Sequence, residues 1–356
     1  MRLCVLSVAF PFARVGRDAA GGAEQVLTLL DQALTTAGHR SIVIAAKGSQ
    51  IAGELVATPL AEGPIDDAAR EAAWRRQRTA IMTTLRHRPV DLVHLHGIDF
   101  AHYLPPPGIP CLVTLHLPLS WYHAAALRPD RPLTWLSGVS HSQYRGSTAG
   151  RGLLPPIANG VAVGELAAAR HAKRGFALVV SRICPEKGID LALEAARRAG
   201  LPLLVGGRVF PYADHLRYFR ERVAPLLGGG RRFLGPLGFA RKRRLMTAAR
   251  CVVVPSLAPE TSSLVAMEAL ACGTSVVAFD RGALPEIVEH GRTGLIVRDV
   301  EGLARAMREV QRIDPERCRE TARRRFRAED MAARYLRRYR RLVRAARTAA
   351  GAEAAA

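Results

Sequence analysis

The sequence predicts an α/β protein of two doubly wound, Rossmann-like domains facing each other across a cleft. Three observations carry this reading. At 356 residues the chain is too long for one ordinary α/β core and suits two domains of usual size. In its first half short apolar runs alternate with amphipathic stretches, the pattern of a parallel sheet covered on both faces. Around residues 150–175 the alternation weakens, and it then restarts.

Taken in order, LCVLSVAF (3–10) reads as a buried first strand, followed by a loop and a helix from about Gly22 to Ala37. Gly38 stands where a helix stop is expected, and SIVIAA (41–46) is the next strand. An Arg-rich polar helix covers about Asp67 to Arg86. The runs DLVHLH (91–96), PCLVTLH (110–116) and TWLSGVS (134–140) are further strands. Gly and Pro then cluster in RGLLPPIANGV, and the charged HAKRG leads into the second series. Its strands are FALVVSRI (176–183), LPLLVGG (201–207), RRFLGPL (231–237), RCVVVPS (250–256), TSVVAF (274–279) and GLIV (294–297). Helices fall between them, including 188–199 and 263–272. No fixed period recurs, so a repeat solenoid is excluded. The domain boundaries read as 1–165 and 166–328. A basic helix over 329–348, with Met331, Tyr335, Leu336, Tyr339 and Leu342 as its apolar positions, is expected to pack back on the first domain. The tail 349–356 reads as frayed.

Composition narrows the function. Cys4, Cys111, Cys184, Cys251, Cys272 and Cys318 are scattered without a CxxC pair, which argues against a disulfide framework or a zinc site. No apolar run reaches membrane-span length. The start MRLCVLSVAFPF lacks a small-residue cleavage site, so a cytoplasmic protein is expected. The formal net charge is +21, and only Lys47, Lys173, Lys187 and Lys242 are lysines, so the excess is nearly all Arg. That field favours anionic partners: nucleotide diphosphates, anionic lipid or nucleic acid.

The chemistry gathers at predicted strand ends, where open parallel sheets bind ligands. In PSLAPETSSLVAMEALACGTSVVAF (255–279) a strand ends at Pro255 and a loop carries Glu260. A helix begins near Ser262 or Ser263 and carries Glu268. Ser is a good cap, and the amides of 262–265, Leu264 among them, would present partial positive charge to an anion. Carboxylates accept hydrogen bonds from vicinal hydroxyls, as in sugars and ribose. From spacing alone, a capping residue followed by a surface Glu reads equally well. In SRICPEKGID (181–190), Arg182 and Lys187 flank a helix start, a diphosphate clamp or an ordinary solvated turn. Gly21 and Gly22 open the first helix without forming a GxGxxG fingerprint, so a dinucleotide cofactor is not implied. His116 leaves a strand end, where it can meet a sugar hydroxyl or position an acceptor. His94 and His96 end a neighbouring strand as structural or acceptor-side residues.

The E-x7-E segment, running into EALACGTSVVAF and then GALPEIVEHGRTGLIV, resembles the retaining glycosyltransferases of family 4, which have the GT-B fold. The resemblance covers nearly the whole chain. It is most specific over 176–298 and loosest over 48–88 and 118–150, where the acceptor should be read. It implies that Glu260 lies against the donor sugar and Glu268 binds the nucleotide ribose. It also implies that Arg182 and Lys187 bind the diphosphate, and that the Gly21–Gly22 loop approaches the donor phosphate and acceptor. His116 matches the family's Thr-x-His pattern through Thr114. By the same resemblance Gly206 and Gly207 would give the nucleotide space and Leu237 would lie against the base, and Asn159-Gly160-Val161 resembles the family's Asn-Gly-Val near the hinge. Where the family often has Phe-Gly, this chain has Ser262-Ser263, so its donor-sugar pocket is expected to differ.

The implied reaction transfers a sugar from a nucleoside-diphosphate sugar to a hydroxyl acceptor with retention at the anomeric carbon. No cofactor is expected beyond the donor, and no Asp-x-Asp motif supplies a metal–diphosphate bridge. A GT-B nucleotide-sugar epimerase would share the clamp without needing an acceptor. A polyanion-binding protein is prompted by Arg241-Lys242-Arg243-Arg244, a run that otherwise reads as a solvated helix face. With 6% aromatic residues and none interleaved in that run, nucleic acid is not an expected partner. The Arg-rich faces at 70–78 and in the last helix suit peripheral contact with an anionic membrane carrying a lipid-linked acceptor.

Overall fold

The computed structural model describes residues 2–60, 63, 65–146 and 152–355. The chain forms two compact units, Met1–Asn159 with Glu329–Ala356, and Gly160–Ala328. The division falls a few residues before the 165/166 boundary read from the sequence.

The first unit runs β1 (Cys4–Val8), α1 (Gly22–Thr36), β2 (Arg40–Ala46), β3 (Glu54–Thr58), α2 (Asp67–His87), β4 (Leu92–Leu95), β5 (Cys111–Thr114) and β6 (Thr134–Ser137). Its six strands are parallel in the order β3-β2-β1-β4-β5-β6. The central strand β1 is buried along its whole length, which is why it reads as a near-continuous apolar run, broken only by Ser7, instead of an alternation. Strand β3 is absent from the sequence reading. It lies at the sheet edge and is mostly half-exposed, so its residues carry little apolar signal. Asp31, fully buried on α1, sets its approach by accepting from Ser41 Oγ at 2.6 Å and from the Ala52 amide at 2.5 Å.

The second unit runs α3 (Val163–Ala167), β7 (Ala177–Val180), α4 (Ile189–Ala199), β8 (Leu203–Gly206), α5 (Ala213–Tyr218), β9 (Arg231–Gly235) and α6 (Phe239–Ala248). It continues with β10 (Cys251–Val254), α7 (Leu264–Ala271), β11 (Ser275–Phe279), α8 (Leu284–Ile287), β12 (Gly294–Val297), α9 (Val300–Glu309) and α10 (Pro315–Arg325). Its parallel sheet has the order β12-β11-β10-β7-β8-β9. Ile189 and Leu193 of α4 and Leu303 and Met307 of α9 share one core with Val253 and Phe279 of the sheet. Both sheets have the same winding. The strand order reverses between β1 and β4 in the first and between β7 and β10 in the second, and such switch points are where doubly wound sheets bind ligands.

The last helix, α11 (Ala328–Ala355), belongs to the first unit from Glu329 onward. It continues beyond the 348/349 limit read from the sequence; Ala356 lies outside the described residues. Tyr335 and Tyr339 are fully buried, and their hydroxyls anchor the helix to the sheet. Tyr339 meets His94 Nδ1 at 2.8 Å and Tyr335 meets Thr114 Oγ1 at 3.1 Å. Among the described residues, no helix is long and apolar enough to cross a membrane.

Candidate functional site

The loops that leave β7 and β10 carry the strongest candidates, one loop on each side of the switch point of the second unit. They are tied together by the Leu257 amide, which donates to the Glu186 carbonyl at 2.8 Å. Across that tie Lys187 Nζ donates to Glu260 Oε1 at 2.5 Å. The Ser256 hydroxyl donates to the same oxygen. A third loop, leaving β11, fixes the Glu260 backbone: the Ala283 amide donates to its carbonyl at 2.6 Å. Gly282 makes this approach possible. Its φ is +58°, and a Cβ there would sit 2.2 Å from the Glu260 carbonyl oxygen. Glu260 is therefore held at the side chain by one loop and at the backbone by another.

Beyond Glu260 the chain enters α7. Ser263 caps it, its hydroxyl accepting from the Ala266 amide at 3.3 Å, and Leu264 begins it as a buried residue. Glu268 follows in the helix interior. Its Oε1 accepts from Lys242 Nζ of α6 at 2.5 Å, with both side chains less than a tenth exposed. Its Oε2 is buried with no hydrogen-bond partner in the protein, and so is Ser262 Oγ. Burying a polar atom without a partner is costly, and such orphans mark where a ligand can complete the bonding.

Lys242 corrects the reading of Arg241-Lys242-Arg243-Arg244 as a solvated face. Arg241 and Arg244 are exposed, whereas Lys242 shares a buried face with Met246. The signal was available: positions i and i+4 of the helix fall on one side. A charged residue at the first of them masked it.

The remaining candidates of this unit stand nearby in the fold. Arg182, just past β7, is half-buried. The Glu186 carboxyl lies below its usual range. Burial opposes this, but a backbone amide, the Cys184 thiol and the Arg182 charge outweigh it. Gly207 has φ +156°, and a Cβ there would overlap the Ser181 carbonyl. Its missing side chain is thus required by the close approach of the β7 and β8 ends. Leu237 lies half-exposed over Gly206, an apolar surface at the end of β8. Cys184, Glu186 and His215 bring possible metal-ligating atoms within 4.8 Å of one another. The positive charge of Arg182 acts on both Glu186 and His215, and it opposes a dication there.

In the first unit, Gly21 is the cap residue of α1, and the Glu24 carboxylate folds back over it, 1.9 Å from where a Cβ would stand. The anion-favouring helix start read at Gly21–Gly22 is therefore faced by the protein's own carboxylate. His116, two residues past β5, meets His96 Nδ1 through its Nε2 at 3.1 Å. Burial pushes the His116 imidazole down to about 4, and burial likewise holds His94 and His96 well below the usual histidine range. All three rings are neutral at pH 7. Both His94 nitrogens are taken up in the core, by Tyr339 and Thr114, which makes it structural. His96 instead touches His116 and keeps a buried Nε2 with no partner in the protein.

Two parallel six-stranded sheets of identical winding define a doubly wound α/β class, and solved structures give the fold as GT-B. Sucrose-phosphate synthase from Thermosynechococcus elongatus superposes with a TM-score of 0.78 at 22% identity, covering 96% of this chain and 100% of that one. HepE from Anabaena, in complex with UDP-glucose, superposes with a TM-score of 0.69 at 20% identity, covering 93% and 99%. Residues 175–312 match the family model for glycosyl transferases group 1, and residues 20–143 match that for glycosyltransferase family 4. The chain belongs to this family of glycosyltransferases. The D-inositol 3-phosphate glycosyltransferase of Mycobacteroides abscessus is 40% identical over 144 residues, 38% of this chain. The match spans about a third of that relative's length, 32%.

Proposed function

We propose that this protein transfers a sugar from a nucleoside-diphosphate sugar to a hydroxyl acceptor, with retention at the anomeric carbon. The observation that carries the proposal is the pair of carboxylates at the β7/β10 switch point, each held at one oxygen by a lysine. Glu268, with its second oxygen buried and unpartnered, accepts from the ribose hydroxyls. Glu260, fixed at both side chain and backbone, faces the donor sugar. Arg182, Lys187 and the start of α7 at Ser262, Ser263 and Leu264 receive the diphosphate. They oppose its growing negative charge as the anomeric C–O bond breaks. Leu237 offers the base an apolar surface. His116, neutral at pH 7, can accept from or donate to a hydroxyl on the acceptor side.

The relatives support the substrate classes. HepE is crystallised with UDP-glucose, and the Mycobacteroides abscessus protein is named for a phosphorylated polyol acceptor. A chain of net charge +21 suits an acceptor, lipid-linked or free, that carries negative charge. The cations at the site make the donor interaction metal-independent in this reading.

Incubation with UDP-glucose, GDP-mannose and ADP-glucose, without acceptor and followed by proton NMR of the anomeric signal, tests the reaction. Slow release of free sugar from one donor, with the α-anomer appearing first, is expected. A new anomeric signal still attached to the nucleotide would make the protein an epimerase. The β-anomer first would contradict retention.

A further inference from the structure

Lys242 and Glu268 form an ion pair buried at both ends, on neighbouring helices. Removing two charges from water is expensive, and a pair so buried is a poor device for stability unless the remaining bonding capacity of both groups is met. Here it is not met: Glu268 Oε2 is buried and has no partner. The pair makes physical sense as half of an arrangement whose other half is a ligand. Lys242 takes Oε1 and thereby fixes both the rotamer of Glu268 and which oxygen remains open.

We infer that Lys242 is a positioning residue for nucleotide recognition: it commits one oxygen of Glu268 so that Oε2 alone receives the ribose hydroxyls. This rests on the reading of Glu268 as the ribose-binding carboxylate. The inference places a single acceptor oxygen against the vicinal diol, so one hydroxyl makes the stronger bond. Without Lys242, the buried carboxylate loses the contact that holds its plane.

The test compares nucleotides that differ only at the ribose. Wild-type protein is titrated calorimetrically with UDP, GDP and ADP, then with the 2′,3′-dideoxy form of whichever binds. The wild type is expected to bind the ribo form at least about tenfold more tightly, the value of about one buried charged hydrogen bond. In Lys242→Met the ribo form weakens by about that factor while the dideoxy form stays within about twofold, so the ratio collapses toward one. Lys242→Gln, which keeps a donor without the charge, gives an intermediate ratio and serves alone if Lys242→Met does not fold. A ratio unchanged from wild type in the folded variants, or equal weakening of both ligands, would overturn the positioning role while leaving the ribose reading intact. A wild-type ratio near one, or no binding at all, would overturn the ribose reading itself and this inference with it.

Discussion

Lys187 and Glu260 meet at 2.5 Å across the switch point of the second sheet, one from the loop after β7 and the other from the loop after β10. The contact joins a cation suited to a diphosphate and a carboxylate suited to a sugar. Lys242 and Glu268 repeat the arrangement deeper in the same unit, at the same separation. The first pair is partly open to solvent and the second is closed, and the two are predicted to respond differently to mutation.

Glu268→Ala leaves the buried Lys242 without its ion-pair partner, which should cost about 3–5 kcal/mol of stability. Replacing both, as Glu268→Leu with Lys242→Met, should restore most of that loss. Urea denaturation of the two variants checks this, and equal destabilisation by both would contradict it.

Function separates the carboxylates in a second way. Glu260→Gln should lower turnover by about a hundredfold or more, with nucleotide diphosphate affinity held within about threefold. Glu268→Gln should weaken nucleotide binding by about tenfold. Equal and small effects of both would undo the assignment of roles.

Gly282→Ala should disturb the same site from a distance. A Cβ at φ +58° would press on the Glu260 backbone, and strain of this kind costs about 1–3 kcal/mol. Turnover should fall with stability, and thermal melting with a donor-turnover assay will show whether the two move together.

The neutral His116 makes a pH prediction. Its folded value of about 4 lies below the unfolded value of about 6.5, so the unfolded chain binds more protons between them. Stability from this group is complete above about pH 6.5 and is lost as pH falls toward 4. A His116→Gln variant should show a shallower fall in denaturation midpoint across that window. In the wild type, turnover should show no limb near pH 6.5 from this residue.

Burial also silences the thiols. All six cysteines are free and buried, and burial pushes Cys111 and Cys251 up to about 12 and Cys184, Cys272 and Cys318 up to about 11. Native protein should react with a disulfide reagent far more slowly than unfolded protein. Rapid native labelling would contradict this.

Most of the fold was legible because its strands are buried on both faces. Near-continuous apolar runs such as LCVLSV and CVVVP announce themselves without any knowledge of packing. Strand β3 was not legible, since an edge strand shares its surface with solvent and is fixed by a distant group, Asp31. At the candidate site, Glu260, Arg182 and Lys187 stand out in the sequence because each lies in a loop at a strand end or helix start, and Glu268 stands out by its E-x7-E spacing from Glu260. Lys242 was missed for the opposite reason. It lies among arginines, its own charge masks its place on the buried side of the helix with Met246, and the contact with Glu268 makes the difference plain. Likewise, sequence pattern gives Gly21 as an open helix start, and only the side-chain path of Glu24 shows what faces it.

The central claim is a nucleotide-sugar donor site built from the β7 and β10 loops, and calorimetric titration with UDP, GDP and ADP, with and without EDTA, tests it most directly. The account predicts that one diphosphate binds, that EDTA leaves the affinity unchanged, and that Lys187→Ala weakens it by about tenfold or more. Binding of none of the three, or binding abolished by EDTA, would contradict the account.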